Sequence, residues 1–160
     1  MRLLACLAAA MMFTVATDAL ASDAPESKLF TTHDFKLESG VVLPELTLAY
    51  ETYGRLAPDG RNAVLATHGY TSSHHLAGRY GPTGVAKGHK PADVGNWDKL
   101  IGAGKAIDTD KLFVVASNVL GSSYGSTNPA TIDPRTAKPY GPDFPRFTVT
   151  DIVAGSESIA

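Results

Sequence analysis

Residues 62–78, NAVLATHGYTSSHHLAG, constrain what this chain can fold into more than any other stretch. Ala63–Thr67 is a short apolar run with a β-branched residue at Val64, the pattern of a strand buried on both faces. The run stops at His68-Gly69, and a polar turn rich in hydroxyl groups follows. A buried strand that delivers a glycine-containing loop to its carboxyl end is where open α/β sheets place their ligands. His-Gly after a strand is a weak signal alone, because many strands end at a glycine turn. The flanking segments have to decide.

Two alternating runs precede it. Residues 30–37 end at Ser39-Gly40, and residues 46–53, LTLAYETY, end at Gly54. Both read as strands, paired antiparallel across the intervening turn. Residues 56–61, LAPDGR, carry Pro58 and Asp59-Gly60 and read as a surface turn. Beyond the central stretch, residues 79–95 are rich in Gly, Pro and Lys without usable periodicity, which predicts a loop. Residues 97–101, WDKLI, read as one amphipathic turn of helix stopped by Gly102. Residues 111–118, KLFVVASN, supply a second buried strand that again ends in Asn and Gly, at Asn118 and Gly121.

A proline-punctuated loop over residues 122–145 comes next, long enough to suggest a function. From Thr148 a helix begins, with Asp151 three residues on in the capping-box arrangement. Strand, loop, short helix, strand, long loop, helix is an alternating α/β plan left unfinished.

The amino-terminal segment is read separately. Arg2 gives a short positive region, residues 3–16 are apolar but too few to span a bilayer comfortably, and Ala19-Leu20-Ala21 places small residues where a signal peptidase reads them. Residues 1–21 are therefore expected to be a cleaved signal peptide with Ser22 as the mature start, which makes the protein exported, periplasmic or secreted. The competing reading is an uncleaved anchor or a buried helix. Cys6, the one cysteine, lies inside this segment. The mature chain then offers neither disulfides nor a cysteine nucleophile. With 160 residues, 44% hydrophobic and 19% charged, the remainder is at most one domain with material for a core. A net charge of −2 gives no reason to expect nucleic acid or an anionic membrane surface as partner.

Three stretches then carry a resemblance: NAVLATHGYTSSHHLAG, NWDKLIGAGKAIDTDKLFVVASNVLGSSYGSTNPA and KPYGPDFPRFTVTDIV. Together they resemble the amino-terminal part of the homoserine O-acetyltransferase family, of the α/β-hydrolase superfamily, from about Leu46 to Val153. The resemblance implies a truncated α/β-hydrolase fold within residues 22–160. It would hold strands one to four and the start of the helix before the nucleophile elbow. Ala63–Thr67 would be the third strand and residues 113–118 the fourth. In that sheet the third strand lies between the fourth and the fifth, and the fifth carries the nucleophile.

The chemistry implied is acyl transfer through a serine nucleophile, with His as base and Asp orienting it. All three would lie beyond this chain. What the chain would contribute is the backbone N–H of Tyr70 as one oxyanion donor, in the loop after the third strand. The partner expected is a small-molecule acyl ester or acyl donor; no cofactor or metal is expected. Ser156, in Gly155-Ser156-Glu157-Ser158, lacks both the second glycine and the preceding strand of an elbow. The chain departs from the family pattern at Ala103, where Pro is usual, and at Asn128 and Ala137, where Gly is usual. Asn128 is tolerable if the position needs positive φ; Ala137 is costly only if its turn is left-handed.

The remaining candidates have plain alternatives. His68 reads as a loop residue rather than a base, and His74-His75 with His68 or His89 lack the acidic or thiolate partners of a metal site. Trp97 and Asp98 read as packing and a helix start. Gly121 and residues 125–127 are candidates for a pocket wall or for a plain turn, and Lys105 for an anion contact or a solvated lysine. Export separates two enzyme readings. Acetyl-CoA is cytoplasmic, so an exported relative would hydrolyse esters rather than transfer acetyl groups. The reading from another class is an inactive remnant or a non-catalytic binding module.

Overall fold

The computed structural model describes residues 25–81 and 93–159. The expected signal peptide with Cys6, and most of the loop over residues 79–95 with His89, lie outside the described residues. Four strands form the main sheet: β1 (Lys28–Lys36), β2 (Val42–Tyr53), β3 (Ala63–Thr67) and, after two short strands, β6 (Phe113–Ser117). Their order is β1-β2-β6-β3, with β1 and β6 antiparallel to β2 and β3 parallel to β6. The alternating runs thus pair as their periodicity predicts. The β1–β2 ladder skips one pair, Asp34 opposite Pro44. Pro44 has no N–H to give, and Asp34 turns to φ 54°.

Alternation assigns the two faces. Leu46 and Leu48 are fully buried on one face with Leu37, Leu43, Leu120 and Tyr140. Helix α1 (Val149–Glu157) covers that face, and Gly155 brings its backbone against Leu46 and Leu48. The helix starts as its sequence predicts: Asp151 N–H donates to Thr148 Oγ1 (3.3 Å) and Thr148 N–H to Asp151 Oδ2 (2.8 Å). Asp151 also accepts from Glu38 N–H at 2.8 Å, tying the helix to the β1–β2 turn. Burial raises its carboxyl; the N–H groups of Thr148 and Glu38 outweigh that and hold it low.

The second face is built from Ala66, Val114 and Ala116, covered by Leu76, Ala77 and Ile101. In register with β6, Glu51 lies opposite Ala116 and Tyr53 opposite Val114, so both side chains fall on this face.

Several expectations need correction. Ala63–Thr67 is a strand, but Ala63, Val64 and Thr67 are exposed, because β3 is the sheet edge and only β6 pairs with it among the described residues. WDKLI makes the single turn expected before Gly102, although its last residue, Ile101, already belongs to a strand. Leu100 N–H and Ile101 N–H both reach Trp97 O, at 2.8 and 3.0 Å. The chain then extends as β4 (Ile101–Gly102) beside β5 (Ile107–Asp108), since Gly102 at φ 149° and Gly104 at φ 68° leave helical conformation. The long loop carries a hairpin of β7 (Ile132–Asp133) and β8 (Lys138–Pro139), then a 3₁₀ turn at Gly141–Asp143.

That hairpin settles the departure at Ala137, whose φ is 56°. Left-handed backbone costs a residue with a Cβ about 1–2 kcal/mol, against roughly 0.5–1 kcal/mol for the extra unfolded freedom of glycine. Ala137→Gly is expected to raise stability by about 0.5–1 kcal/mol, read as a higher urea midpoint. A lower midpoint would show that the Ala137 methyl packs.

Candidate functional site

Parallel strands β3 and β6 end side by side at Thr67 and Ser117, which are register partners. Two loops leave from this end. After β3, Ser72 N–H closes a turn on Gly69 O at 3.0 Å. Tyr70 is the second residue of that turn, so its N–H is not used in closing it, and its side chain is fully exposed. After β6, Ser122 N–H closes a similar turn on Val119 O at 3.1 Å. The geometry leaves the Tyr70 N–H at the carboxyl end of the parallel strands, where such sheets bind ligands.

Residues 73–77 follow the Tyr70 turn and are buried throughout. What holds them is absent from the sequence reading. Glu51, 3% exposed, accepts from Tyr53 Oη at 2.7 Å. Tyr53 Oη in turn accepts the N–H groups of Leu76 (2.9 Å) and Ala77 (3.1 Å). His75 Nδ1 lies 3.0 Å from Glu51 Oε2 and 3.2 Å from Oε1, and its Nε2 lies 3.1 Å from Gly78 O. Tyr80 stacks on the His75 ring with centroids 3.8 Å apart. Burial first, and the Glu51 charge second, raise the phenols of Tyr53 and Tyr80 above their ordinary value.

The other candidates are placed plainly. His74 contacts Ser27 Oγ at 2.8 Å, His75 faces Glu51, and His68 Nδ1 lies against Gly69 O at 2.8 Å. His74 Nε2 also lies 3.9 Å from Glu51 Oε1, and no group of three or more His, Cys, Asp or Glu among the described residues could hold a metal. Ser156 is buried inside α1, with no elbow around it. Asp98 Oδ1 accepts from Gly78 N–H at 2.8 Å, and Lys105 pairs with the same carboxylate at 3.8 Å. Lys105 therefore already has a counter-ion. Both residues line a cleft of about 550 Å³ beside Tyr53 and Thr109, towards the amino ends of β3 and β6.

Gly121 yields to packing rather than to a pocket: a Cβ there would come within 2.5 Å of Phe147. Ser126 and Thr127 complete β2 where β6 stops short. Thr47 N–H donates to Thr127 Oγ1 and Thr127 N–H to Thr47 O, both at 2.8 Å, while Ala49 N–H donates to Ser126 Oγ at 3.1 Å. Hydroxyl groups thereby satisfy strand amides that would otherwise be buried alone. Asn128 is not at positive φ. Its side chain accepts from Ala130 N–H (2.7 Å) and donates to Ser126 O (2.9 Å) and Ser122 O (3.2 Å). Asparagine is here a staple, not a substitute for glycine flexibility.

A sheet of this order with this loop at its carboxyl end defines the amino-terminal strands of an α/β-hydrolase fold. Solved structures share it, two of them as follows. Esterase E22 matches with TM-score 0.72 and 34% identity over 84% of this chain and 36% of its own. Homoserine O-acetyltransferase from Bacillus anthracis matches with TM-score 0.73 and 31% identity over 85% and 36%.

In sequence, the chain is a homologue of the homoserine O-acetyltransferases and O-succinyltransferases. The acetyltransferase of Deferribacter desulfuricans is 53% identical over 120 residues, 75% of this chain and 30% of that one. The succinyltransferase of Herminiimonas arsenicoxydans is 45% identical over 136 residues, 85% and 33% respectively. The chain thus spans about a third of the length of these relatives. No family model matches it.

Proposed function

We propose that this chain forms the oxyanion-loop portion of a serine-dependent acyl-transferring enzyme, acting on a small acyl ester or acyl donor. The observation that carries the reading is the Tyr70 N–H, unused by its own turn, at the carboxyl end of β3. When a serine attacks an acyl carbonyl, the oxygen becomes an anion, and a fixed N–H aimed at it stabilises the tetrahedral intermediate. The relatives named as acyltransferases and the neighbour named as an esterase support this class of chemistry. The amino-terminal signal-like segment favours ester hydrolysis, because acetyl-CoA is absent outside the cytoplasm.

The 160-residue chain by itself is a non-catalytic module in this reading, and it is expected to cleave p-nitrophenyl acetate no faster than a Ser156→Ala control. A burst lost in that control would mean that Ser156 is a nucleophile after all. Reading the DNA beyond codon 160 for Gly-x-Ser-x-Gly, then Asp and His, identifies the extended chain to express. In it Tyr70→Pro, which deletes the N–H, should lower kcat on the order of 10²–10³. Unchanged kcat would remove Tyr70 from the oxyanion site. The ratio of ester hydrolysis to acetyl transfer onto homoserine then separates esterase from transferase.

A further inference from the structure

We propose that His68 is the positioning residue of the Tyr70 amide: its Nδ1–H holds the Gly69 carbonyl and thereby fixes where the Tyr70 N–H points. This assignment rests on the reading of Tyr70 as oxyanion donor. The Gly69 carbonyl and the Tyr70 N–H belong to one peptide unit. That unit is planar and trans, so its C=O and N–H point in opposite directions and turn together. Whatever holds the Gly69 oxygen therefore aims the Tyr70 hydrogen.

Two donors hold that oxygen. Ser72 N–H reaches it at 3.0 Å and His68 Nδ1 at 2.8 Å, one for each carbonyl lone pair. A carbonyl only accepts, so Nδ1 carries the proton of this bond. Packing does not hold the plane. A Cβ on Gly69 would meet no atom within 4 Å, and the Tyr70 side chain is fully exposed. Glycine also lets the backbone before this peptide rotate with the least steric resistance. The bond from Ser72 alone closes an exposed turn, and one hydrogen bond exchanged with water holds such a turn weakly. The bond from the ring is the second restraint, and a plane held by two donors keeps one orientation.

The ring can act as a fixed donor because its backbone directly follows the β3–β6 ladder, which runs to Thr67 opposite Ser117. Its Nε2 is shielded from solvent and has no hydrogen-bond partner among the described residues. Nδ1 is thus the ring atom that acts on the loop. A donor on the Gly69 oxygen also polarises the amide, which strengthens its N–H as a donor.

Two nuclear magnetic resonance measurements on the 160-residue chain, kept dilute, test this. Ring ¹⁵N shifts at about pH 9, above the ordinary histidine range, show which nitrogen carries the proton. A proton on Nδ1 of His68 supports the assignment, and a bare Nδ1 overturns it. The residual dipolar coupling of the Tyr70 N–H in an aligned medium reads the direction of that bond. Two variants separate a donor in the right place from a polar side chain of similar size. Asparagine carries its amide nitrogen where Nδ1 stood, and glutamine where Nε2 stood. In His68→Gln the Tyr70 coupling should fall about twofold or more as other orientations become populated, the scale of losing one hydrogen bond. Couplings in β2 and β6 should stay as in the wild type, and His68→Asn should restore the Tyr70 value.

An unchanged Tyr70 coupling in His68→Gln, or an equal loss in both variants, would overturn the assignment. Should the variants not fold, the ring shifts of the wild type decide alone. In the extended chain His68→Gln should lower kcat about tenfold with KM unchanged, and His68→Asn should recover most of it. A raised KM with kcat intact counts against a positioning role. A Tyr70→Pro effect with the Tyr70 coupling kept in His68→Gln removes His68 alone. A coupling lost in His68→Gln without a Tyr70→Pro effect removes the oxyanion reading alone.

Discussion

Gly95→Ala should cost the 160-residue chain about 3 kcal/mol or more of stability. Gly95 N–H donates to Gly78 O at 3.0 Å, and Trp97 N–H donates to Leu76 O at 2.7 Å, so two backbone segments run in direct contact. A Cβ on Gly95 would lie 2.2 Å from Leu76 C, 2.3 Å from Leu76 O and 2.4 Å from Ala77 N. All three are backbone atoms, so no rotamer change relieves the overlap. Leu76 and Ala77 cannot retreat either, because the Tyr53 hydroxyl holds both their amides.

Overpacking ordinarily costs about 1–3 kcal/mol, and a clash confined to backbone belongs at or beyond the top of that range. Against a typical net stability of about 5–15 kcal/mol, that is a large share. Two other glycines calibrate the measurement, a urea midpoint taken at low protein concentration. Gly69 has open space and ordinary φ, so Gly69→Ala should stay within about 0.5 kcal/mol of the wild type. Gly60 has open space but φ 69°, so Gly60→Ala should cost about 1 kcal/mol from backbone strain alone. A Gly95→Ala midpoint matching that of Gly69→Ala would mean the segment over residues 73–77 is not seated against Gly95.

The main sheet was legible because its strands advertise themselves locally. LTLAYETY alternates, AVLAT and FVVAS are short apolar runs between turns, and Thr148 with Asp151 announces a helix start. The cluster of Glu51, Tyr53 and His75 was not legible, for a reason contained in that same alternation. Thr47, Ala49, Glu51 and Tyr53 form the more polar half of LTLAYETY and read as a solvent face. Yet Ala49 and Glu51 are buried, and Leu76, Ala77 and His75 cover the far end of that row.

Glu51 and His75 meet across 24 residues of sequence with no spacing rule between them. WDKLI was legible as a single turn: Ile101 N–H reaches Trp97 O, and the glycines at φ 149° and 68° stop it there, as the place of Gly102 predicts. The exposure of β3 depends on what pairs with it, and a strand's own composition carries only what it is suited to.

In the 160-residue chain, β3 should recruit other copies through its free edge. AVLAT has the composition of a strand paired on both sides, and in the α/β-hydrolase order the strand bearing the nucleophile would occupy this position. Among the described residues only β6 pairs with β3, and Val64 is 38% exposed. Neither proline nor charge nor a bulge interrupts the run from Ala63 to Thr67, and unprotected edges of that kind template further strands. Each apolar Å² covered by a second copy contributes roughly 25 cal/mol, added to the paired amides and carbonyls of the joined edges.

The wild-type chain should therefore pass from monomer to larger species as concentration rises, followed by light scattering or sedimentation. Val64→Lys places a charge on the edge without touching the β6 ladder, whose register partner there is Val114. It should hold the chain monomeric to at least tenfold higher concentration, through like-charge repulsion across any joined edges. A lysine at an interior site would instead unfold the sheet, so retained far-ultraviolet circular dichroism marks Val64 as an edge position. A wild-type chain that stays monomeric over the same concentrations would mean that this edge is already closed.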